Sequence, residues 1–400
     1  MSLSFVRLAL YGLAAAACFG AQAADFASWL DRQLLAQPAV IAEQQRLLAA
    51  RAEADGLAKP LYNPVLSAFG EKNGNDNNVA LGLEQTLDWW GQGDSQQQEA
   101  RLTRVQATLA FDARLQQQKA KVLAAMARFL AAADEQQLAQ QQRRYLGTLL
   151  ALVKKRQVAG DLGVVDAELA RLNLSSRLKA LADADAAYEE ARAELEALLP
   201  NASVQKSVEL DGYLARLRLP EGEEWLARHP AVALAKARWQ LSRQQVETRR
   251  RAVKAKPTVG LSAGRDGGSS SVEVGVSIPL NLRNDFQSDV AATGYQALAS
   301  EAAYQQQYLN QRAAWRAAKG RLASYQRHYR QWQQWREQDV QPRLERFWQQ
   351  GELATAQYLQ GLNALAQSQS DGIALEQQTR LALIDALAQS GQLSVKGVTL

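Results

Sequence analysis

The chain has 400 residues, of which 46 are basic and 41 acidic, for a formal net charge of +5 at pH 7. That length holds one large domain or two to three ordinary ones, and the abundance of Ala, Leu, Gln, Arg and Glu with only 9 prolines favours helix. The modest charge comes without a basic stripe interleaved with aromatics, which excludes nucleic acid as a partner.

Residues 1–23 read as a secretory signal, with Arg7 as the positive end, an apolar run from Leu8 to Phe19, and a small-residue cleavage site at Ala21-Gln22-Ala23. Cys18 is the only cysteine, so cleavage after Ala23 leaves no thiol for a disulfide or a metal. Lipidation of Cys18 is the alternative, although Ala15-Ala16-Ala17 lacks the leucine expected before a lipidated cysteine. No later stretch reaches the roughly 18 apolar residues of a membrane helix, so a membrane location requires a closed barrel.

Residues 26–59 have helical periodicity, which Pro60 and Pro64 end by pushing their neighbours into extended backbone. Val65 to Glu71 then alternates. Asn73-Gly74-Asn75-Asp76-Asn77-Asn78 is a turn, and Val79, Leu81 and Leu83 return against Ala80, Gly82 and Glu84. The spacing predicts a hairpin with one greasy face and one small or polar face, its strands about nine or ten residues long, enough for a tilted strand to cross a bilayer. Trp89 and Trp90 follow where an interfacial aromatic belt belongs.

Residues 94–158 contain no proline and one glycine, Gly147. Leu102, Val105, Leu109, Ala113, Ala120, Leu123, Ala127 and Leu130 recur at threes and fours, predicting a coiled-coil-like seam rather than a globular core face. Such a helix would run roughly 98 Å and project as a stalk. Gly160 breaks it, Leu162 to Leu199 returns as a second helix, and a polar connector follows between Pro200 and Pro220.

The pattern then repeats. Pro230-Ala231-Val232 echoes Pro38-Ala39-Val40, and Pro257 echoes Pro64 at an offset of 257 − 64 = 193 residues. At that offset Val79 to Leu83 falls on Val272 to Val276, and Leu87 on Leu280. Val259, Leu261 and Ala263 lead into the turn Asp266-Gly267-Gly268-Ser269-Ser270-Ser271, and Val272, Val274, Val276 and Ile278 return on the greasy face before Pro279. A helix from about 286 to 349 follows, in which Pro342 should make a kink or mark a register change. After a break at Gly351, Leu353 to about Gln389 runs back. The organisation is therefore a signal over 1–23, a helix–hairpin–helix repeat over 24–199, a connector over 200–222, a second repeat over 223–390, and a tail over 391–400.

Little in the chain suggests chemistry. The two histidines, His229 and His328, are far apart and in no ligand pattern. His229 precedes Pro230 at a helix start, where it has a capping or turn role, and His328 sits among Tyr325, Tyr329, Trp332 and Trp335 in a packing run. Gly260, Gly264 and Gly267 are strand and turn glycines rather than a phosphate loop. No catalytic, cofactor or metal residues are assigned, and the chain reads as a non-enzyme.

The signal segment, the doubled helix–hairpin–helix order and the strand end Ser277-Ile278-Pro279-Leu280 followed by Asn284 resemble the TolC-like outer-membrane efflux proteins. With Gln85-Thr86-Leu87 and the short length, the likeness is to the heavy-metal (cobalt–zinc–cadmium) branch. The resemblance implies a mainly α fold with a small membrane β-barrel: a homotrimer closing a twelve-stranded barrel in outer-membrane lipid, above an α-helical periplasmic tunnel. It implies a passive exit duct in a tripartite efflux system, with a periplasmic adaptor and an inner-membrane resistance–nodulation–division pump as partners, and metal cations as cargo. It places Val79, Leu81, Leu83, Val272, Val274, Val276 and Ile278 against lipid, and Gly160, Leu162, Gly351 and Leu353 at the tip that meets the adaptor. Aspartates that close the tunnel in the family are replaced here by Gln357 and Gln360, leaving Asp161, Asp166 and Glu352 as the nearby acids. A periplasmic coiled-coil scaffold or adaptor, and the outer-membrane arm of a protein-secretion system, are the other readings of the same pattern.

Overall fold

The computed structural model describes residues 26–73, 76–160, 163–200, 204–266, 269–336 and 340–395. The signal segment with Cys18 lies outside them, as do Asp161 and Leu162. In chain order the helices are α1 (26–35), α2 (Pro38–Leu57), α3 (Gln92–Val158), α4 (Val164–Leu198), α5 (Leu210–Leu214), α6 (Pro230–Ala252), α7 (Gln287–Trp335), α8 (Val340–Gln349) and α9 (Thr355–Gln389). The strands are β1 (Val65–Asn73), β2 (Asp76–Thr86), β3 (Thr258–Asp266) and β4 (Ser269–Ser277). The repeat holds to the residue: 65 + 193 = 258 and 76 + 193 = 269, the first residues of β3 and β4.

Two boundaries differ from the periodicity, both at prolines. The first helical stretch is two helices, because Pro38 has no N–H to continue α1 and instead starts α2. At the second, α7 ends at Trp335 and a separate α8 begins at Val340, so Pro342 sits in the first turn of a helix, where a missing N–H is tolerated, rather than inside one long helix.

The described chain forms two compact units, each drawing on both sequence copies. The first takes residues up to Ile41, Arg114–Glu223 and Arg312 onward. Its core joins Phe26, Leu30 and Leu34 of α1, Val122, Leu123, Met126 and Phe129 of α3, Leu195 and Leu199, and Ile384, Leu387 and Leu393. Two expectations change here. Val122, Leu123, Ala125, Met126 and Ala127 are all buried, so this stretch of α3 is a globular core and not a two-helix seam. The connector is not merely polar: α5 places Leu210, Tyr213 and Leu214 in the same core. A short helix can bury one apolar face without lengthy hydrophobic periodicity, which is why composition hid it.

This core also holds a charge. Lys119 donates to Asp31 Oδ1 at 2.8 Å and to the Ser394 carbonyl at 3.0 Å, and its ammonium lies 5.7 Å from the Tyr213 ring centre. A buried cation needs such full pairing, since an unpaired one would lose its hydration without return.

The second unit comprises Ala42–Ala113 and Glu224–Gln311. Its helices meet through small and hydroxyl side chains: Ser95 Oγ and Thr248 Oγ1 are 3.0 Å apart, and Gln244 Nε2 donates to Ser95. Trp239 stacks on Tyr304 at 5.7 Å with an interplanar angle of 6°. The four-stranded sheet belongs to this unit.

Candidate functional site

The two hairpins make one antiparallel sheet in the order β1-β2-β3-β4. Opposed residues share a face, so the register sorts every side chain. One row is Leu66, Leu83, Leu261 and Val274. The next is Ala68, Leu81, Ala263 and Val272. Val79 and Val276 fall on the same face, so six of the seven residues expected to share a greasy surface do so. The seventh, Ile278, lies just past the end of β4. The opposite face carries Ser67, Glu71, Gly82, Glu84, Ser262 and Glu273, but also Val65 and Phe69, which alternation alone placed on neither side. Gly264 permits the close pairing of β2 and β3, since a Cβ there would stand 2.5 Å from the Val79 carbonyl oxygen.

Among the described residues nothing covers the greasy face. Leu66 is 75% exposed and Val274 78%. Each such side chain left in water forgoes about 1.5–3 kcal/mol of burial. Among the described residues no strand pairs with the outer edges of β1 and β4, and a flat edge with unpaired backbone groups templates further strands.

The strand bases are fixed by polar contacts. Asp88 accepts from the N–H groups of Gln92 and Gly93 at 2.8 and 2.7 Å, capping α3. In the second copy Asn284 accepts from Phe286 N and Asp285 from Gln287 N, opening α7. Trp89 and Trp90 are exposed, and Trp90 donates to the Ala255 carbonyl while Lys254 lies 4.6 Å over its ring.

The second candidate region is the pair of helical turns in the first unit. Gly160 and Gly351 both have left-handed backbone, φ +82° and +79°, where an L side chain would be strained. At Gly351 the cap is complete: Glu352 N reaches back to the Phe347 carbonyl, and Gly351 N to that of Trp348. Beside it Trp348 stacks on Tyr358 at 4.7 Å and donates to Thr355 Oγ1, with Leu353, Leu149 and Val153 packed around them. Tyr145 and Tyr358 hydrogen-bond through their hydroxyls. Burial pushes both phenols above their ordinary value, and for Tyr358 the hydrogen bond to Tyr145 adds to the rise.

Of the expected constriction residues, Asp161 lies outside the described residues. Glu352 and Gln360 are exposed. Gln357 turns its Oε1 back to accept from Ala354 N at 3.2 Å, capping α9. Asp166 lies on α4, with its side chain outside what the structure describes. The aromatic lock of Trp348, Tyr145 and Tyr358 was not singled out from sequence; the Trp348–Tyr358 spacing of ten residues across a glycine turn was its only signal. His229 caps α6 as expected, its Nδ1 accepting from Ala231 N. Among the described residues no three His, Cys, Asp or Glu side chains gather to hold a metal, and no helix is long and apolar enough to cross a membrane.

This is the fold of the TolC-like channels, mostly helical with a small antiparallel sheet. Among solved structures, the chain is similar to a membrane protein from Pseudomonas aeruginosa, with TM-score 0.78, 17% identity and 92% of each chain covered. It is similar to the Campylobacter jejuni outer membrane channel CmeC, with TM-score 0.74 and 12% identity over 92% of this chain and 86% of that one. CusC, whose structures concern transmembrane channel formation, gives TM-score 0.72 and 16% identity over 92% of each. At these identities the likeness is one of fold. No family model matches the chain, and no curated protein does.

Proposed function

We propose that the chain is the outer-membrane channel of a tripartite efflux system, a passive exit duct that catalyses no reaction. The observation that carries this reading is the single sheet with an uncovered apolar face and two open edges. Three copies pairing β1 to β4 give 3 × 4 = 12 strands, which removes every edge and leaves only lipid to meet the valines and leucines. Val79, Leu81, Leu83, Val272, Val274, Val276 and Ile278 then face hydrocarbon, with Trp89 and Trp90 at its boundary. The helical repeats, bounded as 24–199 and 223–390, extend into the periplasm after removal of the signal over 1–23.

In this reading the turns at Gly160–Leu162 and Gly351–Leu353 meet a periplasmic adaptor, which joins the duct to an inner-membrane resistance–nodulation–division pump. Asp161, Asp166, Glu352, Gln357 and Gln360 stand nearest the narrow end. Metal cations are the cargo suggested by the likeness to the heavy-metal branch. A duct need not bind what passes through it, so sparse histidine and absent thiols are compatible with that cargo.

Two experiments test the reading. Membrane fractionation should recover a heat-sensitive trimer in the outer membrane, and a monomer that stays in the periplasm without detergent rejects the duct. A deletion strain challenged with Zn, Cd, Co, Cu and Ag salts beside dyes and detergents should lose resistance to the metals. Selective loss of resistance to dyes instead refutes the metal cargo and keeps the channel.

A further inference from the structure

The register separates charge as cleanly as it separates apolar side chains. On β1 the residues sharing the greasy face are Leu66, Ala68, Gly70 and Lys72; on β3 they are Val259, Leu261, Ala263 and Arg265. The glutamates of the sheet, Glu71, Glu84 and Glu273, fall on the other face. Lys72 and Arg265 are both exposed and each ends the apolar row at the hairpin-tip end of its strand. They are also the same position of the duplicated unit, since 265 − 72 = 193. The glutamates are not: Glu71 and Glu84 correspond to Gly264 and Ser277, and Glu273 to Ala80.

Three cations at the opposite end of the sheet are engaged. Lys254 lies over Trp90, Lys256 donates to the Ala252 carbonyl beside the Tyr62 ring, and Arg251 pairs with Glu247. The two ends of the greasy face therefore differ: one has aromatic rings with tied cations, the other has outward cations above valine and leucine.

We propose that Lys72 and Arg265 bind the phosphates of glycolipid headgroups in the leaflet at the hairpin tips, the acyl chains lying on Leu66, Leu81 and Val272 below. The inference rests on the membrane-channel reading and adds a specific lipid to it. Long cationic side chains keep their stems on apolar surface while the head reaches the interface. A guanidinium fork matches a phosphate, and an ammonium serves as a point charge beside it. The two positions are separated by two strands and two residues, about 12 Å by sheet geometry. That span suits a disaccharide headgroup with a phosphate at each end. Free phosphate finds only an isolated exposed cation at either position, whereas a lipid gains from both the phosphate and the apolar rows. In a closed trimer the pair recurs three times, giving a collar of 2 × 3 = 6 cations around the barrel.

The test uses the full assembled chain in zwitterionic nanodiscs, with lipid retention read by native mass spectrometry. The probes are bisphosphorylated lipid A, dephosphorylated lipid A and inorganic phosphate. Each cation near a phosphate surface contributes about fivefold, so the pair should favour the bisphosphorylated form about 25-fold. The double variant Lys72→Gln/Arg265→Gln should lose that preference, the swap Lys72→Arg/Arg265→Lys should keep it, and added salt should weaken it in the wild type. Equal preference in the wild type and the Gln variant overturns the proposal while leaving the channel standing. Equal retention of inorganic phosphate shows an anion site and overturns the lipid assignment. Should the Gln variant fail to assemble, a wild-type preference insensitive to salt overturns it. Failure of the wild type to enter any bilayer overturns both the collar and the channel.

Discussion

In the helical unit Phe26, Leu30, Leu34 and Leu123 are wholly removed from solvent, whereas on the sheet Leu66, Val272 and Val274 are each more than 70% exposed. The residue types are the same and their surroundings are opposite. The helices of the first unit cover one another, while the sheet is a single layer whose apolar face no described residue covers. Backbone pairing holds the sheet's form, and its side-chain energy is left to be gained from outside the chain. The first unit buries its apolar side chains within the chain, and the sheet leaves its own exposed.

The largest expected effect breaks the sheet side of this comparison. Val274→Arg with Val276→Arg places two charges on the greasy face, at about 2–4 kcal/mol each in mid-bilayer. The heat-sensitive trimer should vanish from outer-membrane fractions, whereas Glu273→Arg on the other face should leave it in place. Normal assembly of the Val variant favours a periplasmic scaffold.

The helical side is broken at its buried charge. Lys119→Met leaves Asp31 without its cation and should cost about 3–5 kcal/mol, seen as a lower melting midpoint by circular dichroism. Adding Asp31→Leu should recover most of that loss without altering the sheet.

The smallest effect sharpens the same comparison with a titration. Burial, with the Glu376 carboxylate beside it, holds the Tyr329 phenol up at about 12. Its folded value lies above the ordinary tyrosine value near 10, so the neutral form is favoured in the native state. The contribution is complete below about pH 10 and is lost as pH rises towards about 12. Absorbance titration of wild type against Tyr329→Phe should show one phenol fewer ionising in that window.

Much of this was legible in the sequence, because strand alternation and long proline-free helices are local signals. The offset of 193 residues placed both hairpins, and Pro60, Pro64 and Pro257 marked where they begin. The core contribution of α5 was not legible, since five residues carry too little periodicity to show a buried face. Nor was Lys119, whose charge is compensated by residues 88 and 275 positions away. At the turns, the glycines were readable from backbone need, but the lock of Tyr145 on Tyr358 depends on tertiary packing across 213 residues. The capping role of Gln357 was not legible either, because it depends on where α9 begins.

The most direct measurement is a nitroxide scan along β4, made simple by Cys18 being the only native cysteine. Single cysteines from Ser270 to Ser277 are spin-labelled in the membrane-reconstituted chain, and accessibility to oxygen and to a water-soluble nickel chelate is recorded at each. Positions 272, 274 and 276 should favour oxygen and 271, 273 and 275 the chelate, alternating with a period of two. Uniform chelate accessibility, or protection from both reagents at every position, would contradict a sheet with one face in lipid.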